Sequence, residues 1–161
     1  MTVRILTAAD RSAVRTMYNG AGLNSSWPGG APNITLAQAQ TLLGPPNVAR
    51  GSFSGTTLQA VINCRPVVSE SAEKMWLAIW TGSLPLLTLR AGMKDLMIDW
   101  WTDLLNRGVE WGIGRNLLVY PPKFEDFFQR LVTRGMTYEV QGEFRVVRMH
   151  PADALIVLGQ V

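Results

Sequence analysis

The stretch from Arg115 to Phe144 constrains the fold of this chain more than any other. Asn116-Leu117-Leu118-Val119-Tyr120 reads as a short apolar strand, and Pro121-Pro122 breaks it. Lys123 to Arg134 follows as an amphipathic helix with Phe124, Phe127, Phe128 and Leu131 on one face. Glu125 and Asp126 lie near its positive end, Arg130 and Arg134 near its negative end, as the macrodipole prefers. Gly135 ends the helix, and Met136–Val140 and Phe144–Met149 form a hairpin about Gln141-Gly142.

The clearest helix precedes this stretch, from Met93 to Arg107. Met93, Leu96, Met97, Trp100, Trp101, Leu104 and Leu105 keep a three-four spacing, with Lys94, Asp95, Asp99, Asp103 and Asn106 opposite, and Gly108 ends it. Burying each large side chain of that stripe is worth roughly 1.5–3 kcal/mol, so this helix is expected to anchor the core, with Asp95, Asp99 and Asp103 outside.

The first half is more fragmented. Val3–Leu6 is a strand candidate, and Thr7 with Asp10 forms a capping-box pattern before a helix to Asn19 that carries Ala9, Ala13, Val14, Met17 and Tyr18. Gly20 should close it, and Gly22 to Asn33 reads as a loop. Thr35 caps a short helix, Leu36–Leu43, closed by Gly44-Pro45-Pro46. Thr57–Cys64 and Met75–Trp80 are strands, with Pro66–Ser69 as a third between them. Leu84–Leu89 fits either strand or helix approach, and Pro85 argues against a central strand. Ala154–Leu158 is an apolar tail without a partner in this pattern.

Composition narrows the function classes. The 161 residues suit one domain over 1–161, with 151–161 as an extra tail. Hydrophobic residues make up 47% and charged residues 17%, which argues against disorder and for an apolar surface that a partner covers. The net charge of +3 comes without a dense basic run, which argues against nucleic acid as partner. Arg11, Arg15, Arg130, Arg134, Arg145 and Arg148 fall on separate elements. The single cysteine, Cys64, excludes an internal disulfide and a multi-cysteine zinc site, and it reads as a small buried hydrophobe. The single histidine, His150, stands beside Pro151 at a strand end and reads as a surface residue. Arg4, Asp10 and Arg11 interrupt the start, so no signal peptide is read there, and no apolar run is long enough to span a bilayer. These features predict synthesis and folding in a reducing cytoplasm.

The order of elements, and three motifs, resemble the GCN5-related N-acetyltransferase (GNAT) fold. Asn106-Arg107-Gly108 resembles that family's helix end before the fifth strand, Leu117–Pro121 the strand with its proline, and Thr133-Arg134-Gly135-Met136 its Lys-x-Gly-Phe ending. The resemblance implies an α/β (α+β) fold, a mixed twisted sheet of about seven strands with about four helices. It implies that Met75–Trp80 and Asn116–Tyr120 run parallel and part at their C-terminal ends around acetyl-CoA. In the family, Gln/Arg-x-x-Gly-x-Gly/Ala holds the pyrophosphate on backbone amides. Here Thr81-Gly82-Ser83-Leu84-Pro85 and Arg90–Asp95 stand in that place, and neither has two glycines. Thr81, Gly82 and Ser83 are the candidate remnant of an acyl-CoA loop. The family's tyrosine acid falls at Leu131, with Tyr120 and Tyr138 on other elements. Its glutamate base has Glu70 and Glu73 as the only acidic counterparts near the strands.

Together these features predict a GNAT-like protein with no catalytic residues, no metal and no cofactor, acting with other proteins in an assembly or homo-oligomer. Met75–Thr81, the Met93 helix and Phe127–Met136 also resemble small acetyltransferase-like virion proteins of short-tailed bacteriophages, which implies incorporation in a virion. The alternative is a divergent N-acetyltransferase that uses acetyl-CoA through Thr81–Ser83 and transfers by positioning.

Overall fold

The computed structural model describes residues 1–19, 33–68, 74–83, 91–117, 122–142 and 144–160. Strand β1 (Thr2–Ile5) leads through a 3-10 turn (Ala8–Asp10) into α1 (Arg11–Asn19), then α2 (Leu36–Leu43). Strands β2 (Val48–Ser54), β3 (Thr57–Val68) and β4 (Lys74–Ser83) follow, then α3 (Ala91–Asn106) and β5 (Trp111–Leu117). Helix α4 (Pro122–Thr133), the hairpin β6 (Thr137–Gln141) and β7 (Phe144–Met149), and α5 (Pro151–Gly159) complete the order. The strands make one sheet, β1-β2-β3-β4-β5-β7-β6. Only β4 and β5 pair in parallel; every other neighbour is antiparallel.

Two cores lie on opposite faces. On one, Val14 and Met17 of α1 and Ala39 of α2 pack on Ala49, Phe53, Leu58 and Val61. On the other, Leu96, Trp100, Trp101 and Leu104 of α3 meet Ala60, Ile62 and Cys64 of β3, Phe128 of α4, and Ala154, Val157 and Leu158 of α5. Alternate residues of β3 thus enter different cores, as a two-sided strand requires. Of the stripe read on α3, those four residues are buried and Met97 packs half-buried against them, whereas Leu105 is 46% exposed and lies outside the core.

Helix ends follow the expected chemistry. At Gly108 (φ 67°) and Gly135 (φ 110°) the chain turns into the left-handed region. The next N–H groups, of Val109 and Met136, reach back to the carbonyls of Leu104 (3.0 Å) and Leu131 (2.9 Å). The Asp10 carboxylate accepts the Thr7 N–H (2.8 Å), and Arg4 pairs with it at 2.7 Å. The Asn19 side chain clasps Ile34 through both its carbonyl and its N–H, at 3.0 and 2.8 Å, and so docks the approach to α2 against the end of α1.

Several expectations need correction. Val48–Ser54 carries no clear strand pattern yet forms β2, because packing overrides propensity there. A Cβ on Gly51 would meet Leu58 and Leu6 at 2.6 and 2.8 Å, and Arg50 is fixed by ion pairs. Pro66–Val68 continues β3 instead of forming a separate strand. Pro66 is tolerated because β2 stops pairing at Val48–Cys64, so no β2 neighbour needs its N–H. Strand β5 starts at Trp111, not Asn116; Gly112 weakens the strand signal but leaves room for the Trp101 ring, which a Cβ would strike. Asp99 and Asp103 are not idle surface charges. Both bind the buried Arg50, at 2.9 Å each. The apolar tail is a fifth α-helix, α5, seated in the core, so the helices exceed the four expected. Residues 20–32, 69–73, 84–90 and 118–121 lie outside the described residues, and with them the expected loop, Glu70, Glu73, Leu84–Leu89 and Tyr120.

Two stability outcomes follow. Trp100→Ala should cost about 3–5 kcal/mol, and Gly112→Ala about 1–3 kcal/mol by overpacking against Trp101, both read from urea midpoints. The Asp10 carboxyl is held below the usual carboxylate range, first by the Arg4 guanidinium and then by Thr7. Its contribution is therefore present above the unfolded value and lost as pH falls through the folded one. Asp10→Asn should cost about 1 kcal/mol at neutral pH, and that difference should shrink as pH falls through the folded value in acid titrations of stability.

Candidate functional site

Strands β4 and β5 pair over only three positions: Met75 with Trp111, Trp76 with Gly112, and Leu77 with Ile113. Beyond Leu77, β4 stays bound to β3 as far as Ser83 opposite Ala60. Beyond Ile113, β5 stays bound to β7 as far as Leu117 opposite Phe144. Each strand keeps its outer neighbour and loses its inner one, so a wedge opens between them toward their C-terminal ends.

The cause is a bulge. Asn63 pairs with Trp80 and Cys64 with Ala78, which leaves Ile79 as an extra residue on β4. A bulge bends its strand and increases its twist. This one sits two residues after the last β4–β5 pair, where the strands part. The parallel arrangement and the parting expected from the sequence are both present. Nothing in the sequence around Ile79 marked the bulge.

The inner edge of β4 from Ala78 to Ser83 therefore has backbone N–H and C=O groups that β5 does not use. Thr81, Gly82 and Ser83, expected in a loop, are strand residues paired with Ile62, Val61 and Ala60. Helix α3 begins at Ala91, and Gly92 in its first turn is buried. A Cβ there would meet the Met1 sulfur at 2.8 Å and the Ser52 hydroxyl at 3.1 Å, so this glycine is packed closely by both side chains.

The other candidates separate. Leu131 is half-buried against the α3-side core. Tyr138 lies on β6, with β7 between it and β5, its ring edge-on to Phe128 at 5.3 Å. His150 precedes α5 at the paired end of β5, where Met149 faces Gly112, and so stands away from the wedge. Its ring stacks on Trp111 at 3.7 Å, and Nδ1 lies 2.7 Å from the Glu110 carbonyl. Cys64 is fully buried, accepting the Trp100 indole N–H at 3.1 Å and donating to the Val48 carbonyl at 3.3 Å. Burial pushes its thiol up to about 11.

A cluster that the sequence did not reveal lies beside the open end. Arg145, opposite Asn116 through the β5–β7 pairing, is buried and binds Glu125 of α4 at 3.0 Å. Its guanidinium lies 4.1 Å from the Phe128 ring centre. The Gln129 amide and then Arg145 hold Glu125 below its ordinary range. The pair fixes α4 to β7 and keeps the mouth's outer wall in place. Among the described residues, no group of histidine, cysteine or acidic side chains could hold a metal ion.

No protein-family model matches the chain, and no curated protein matches its sequence. Solved structures do match across nearly its whole length. Ribosomal-protein-alanine N-acetyltransferase from Brucella melitensis superposes with a TM-score of 0.67 at 12% identity, covering 93% of this chain and 99% of that one. The PaiA N-acetyltransferase from Thermoplasma acidophilum, solved with coenzyme A, gives 0.63 at 12% identity, over 93% and 99%. FeeM, an N-acyl amino acid synthase from uncultured soil microbes, gives 0.64 at 14% identity, over 94% and 96%. The fold is that of the GNAT acetyltransferases. Within this GNAT fold the wedge is retained, while neither the glycine pair nor the tyrosine acid is found at the expected positions.

The burial of Cys64 makes a direct prediction. Iodoacetamide should alkylate the native thiol at least about a hundredfold more slowly than the urea-unfolded chain at pH 8, followed by mass spectrometry. Equal rates would show that Cys64 is reachable from solvent.

Proposed function

We propose that this protein binds an acyl-CoA in the β4–β5 wedge and passes the acyl group to an amine, as an N-acyltransferase that works by positioning. The observation that carries this reading is the bulged β4 edge from Ala78 to Ser83, freed from β5 beside an open cleft. The amide-bearing arm of coenzyme A can hydrogen-bond to a strand edge much as a neighbouring strand would. Ala78–Ser83 would hold that arm, and acyl-CoA supplies the activated thioester carbonyl. The amine nitrogen forms the new bond to the carbonyl carbon as the carbon–sulfur bond breaks. Leu131 has no proton to give, so the attacking nitrogen releases its proton to solvent and the departing sulfur takes one from solvent. Holding the two reactants in register is then the main source of acceleration. The likeness to an N-acyl amino acid synthase as well as to acetyltransferases supports an acyl-transfer reading without fixing chain length.

A second reading has its own observations. Gly92 is closed over by Met1 and Ser52, and Leu131 faces the core, so the fold could serve an assembly, such as a virion, without chemistry.

Titration calorimetry with acetyl-CoA, paired with a thiol-release assay on a panel of amines, separates the two. Saturable binding in the micromolar range with amine-dependent thiol release is expected. Gly82→Val and deletion of Ile79, which removes the bulge, should each weaken binding about tenfold or more. No heat at millimolar acetyl-CoA would leave the assembly reading in place and remove the enzymatic one.

A further inference from the structure

Helix α5 carries an unusual outer face. Its inner side is core: Ala154, Val157 and Leu158 are fully buried. The side left to solvent shows Ala152, Ile156 (40% exposed) and Gly159, one turn apart, with Asp153 half-buried beside them. A surface helix ordinarily turns charges outward, and α5 offers one. At its C-terminal end, α5 borders a groove lined by Gln129, Arg130 and Thr133 of α4 and by Arg134 just after it, with Val157 and Gln160; among the described residues Asp126 is the only acidic group there. Arg130, Arg134 and Asp153 form no ion pair among the described residues. The apolar stripe thus has an unpaired carboxylate at its N-terminal end and two unpaired guanidinium groups at its C-terminal end.

We infer that two copies of this chain associate through α5, packed antiparallel about Ile156. A second copy is the occupant that this charge distribution fits. Rotation about an axis at Ile156 sets Asp153 of one copy against Arg130 and Arg134 of the other, twice over, as an isologous contact requires. The same rotation opposes the two helix dipoles. Ala152 and Gly159 have side chains small enough for the helices to approach closely, with the two Ile156 side chains in the centre. Nine residues of helix span only about 13.5 Å, so the contact must extend over the end of α4 to approach the roughly 800 Å² per partner of a standard interface. For a contact at the small end of that range we expect a dissociation constant on the order of tens of micromolar, because little surplus remains over the cost of association.

Sedimentation velocity across a concentration series, on the full chain without ligand, tests this. A reversible monomer–dimer equilibrium is expected. Ile156→Lys should weaken it at least about tenfold, and Ala152→Glu should do the same at a second point of the stripe. Circular dichroism should show native helix content in both. Asp153→Arg and the pair Arg130→Asp, Arg134→Asp should each weaken association, and combining all three should restore it. A chain that stays monomeric at about ten times the expected dissociation constant overturns the proposal. So does a dimer indifferent to Ile156→Lys and Ala152→Glu, or a triple variant weaker than either parent. None of these outcomes depends on whether acyl-CoA binds the wedge.

Discussion

Trp100 and Trp101 sit side by side on α3, ring centres 4.5 Å apart, and face two different strands. Trp100 reaches Cys64 on β3, and Trp101 covers Gly112 on β5. Strands β3 and β5 flank β4, so one pair of adjacent side chains fixes the two walls between which β4 bends. That bend is what opens the wedge. Arg50 braces the same helix from β2 through Asp99 and Asp103, and α5 packs on α3 within the same core. The width of the cleft is therefore a property of α3 and its contacts, set away from the open end itself.

Arg50 also shows how a polar group is held in this core. Two carboxylates, 45% and 24% exposed, bring charge to a guanidinium that is only 7% exposed. The remaining nitrogen, Nη1, is buried without a hydrogen-bond partner among the described residues. Removing one partner of such an arrangement costs more than the pair contributes, because the charge left behind is desolvated. Arg145 follows the same plan with Glu125, and adds the Phe128 ring face. Each buried arginine joins a strand to a helix across the α3 face: β2 to α3, and β7 to α4. Registry between the layers is what such pairs supply best.

Elements that fold by their own periodicity were legible in the sequence. The stripe of α3, the capping pattern at Asp10, the glycine stops at Gly108 and Gly135, and the β6–β7 hairpin all needed only local rules. Elements defined by what packs against them were not. Strand β2 contains Arg50, Gly51 and Ser52, poor strand formers whose roles appear only once Asp99, Leu6 and Met1 are in place. The start of β5 was hidden for the same reason, since Gly112 answers to Trp101. The last apolar segment looked like a tail because its partners on α3 and α4 lie far away in sequence.

The candidate site was legible only as an absence, and the structure explains why. A glycine loop and a tyrosine acid are side-chain signatures at fixed spacing, and other residues, Leu131 among them, stand at the positions that the resemblance assigns to them. A strand edge freed by a bulge is a backbone device; it uses N–H and C=O groups that every non-proline residue possesses. Its creation at Ile79 depends on the register against β3, which no local pattern encodes. A chain can therefore share the GNAT fold with solved structures at only 12–14% identity. So distant a likeness limits what the fold says about chemistry: a wedge maintained by α3 suits the proposed acyl transfer and an assembly role alike, and its persistence alone does not require turnover. What decides between them is whether the free edge of β4 meets a ligand, and that edge is a property of the β4 bulge, not of any one side chain.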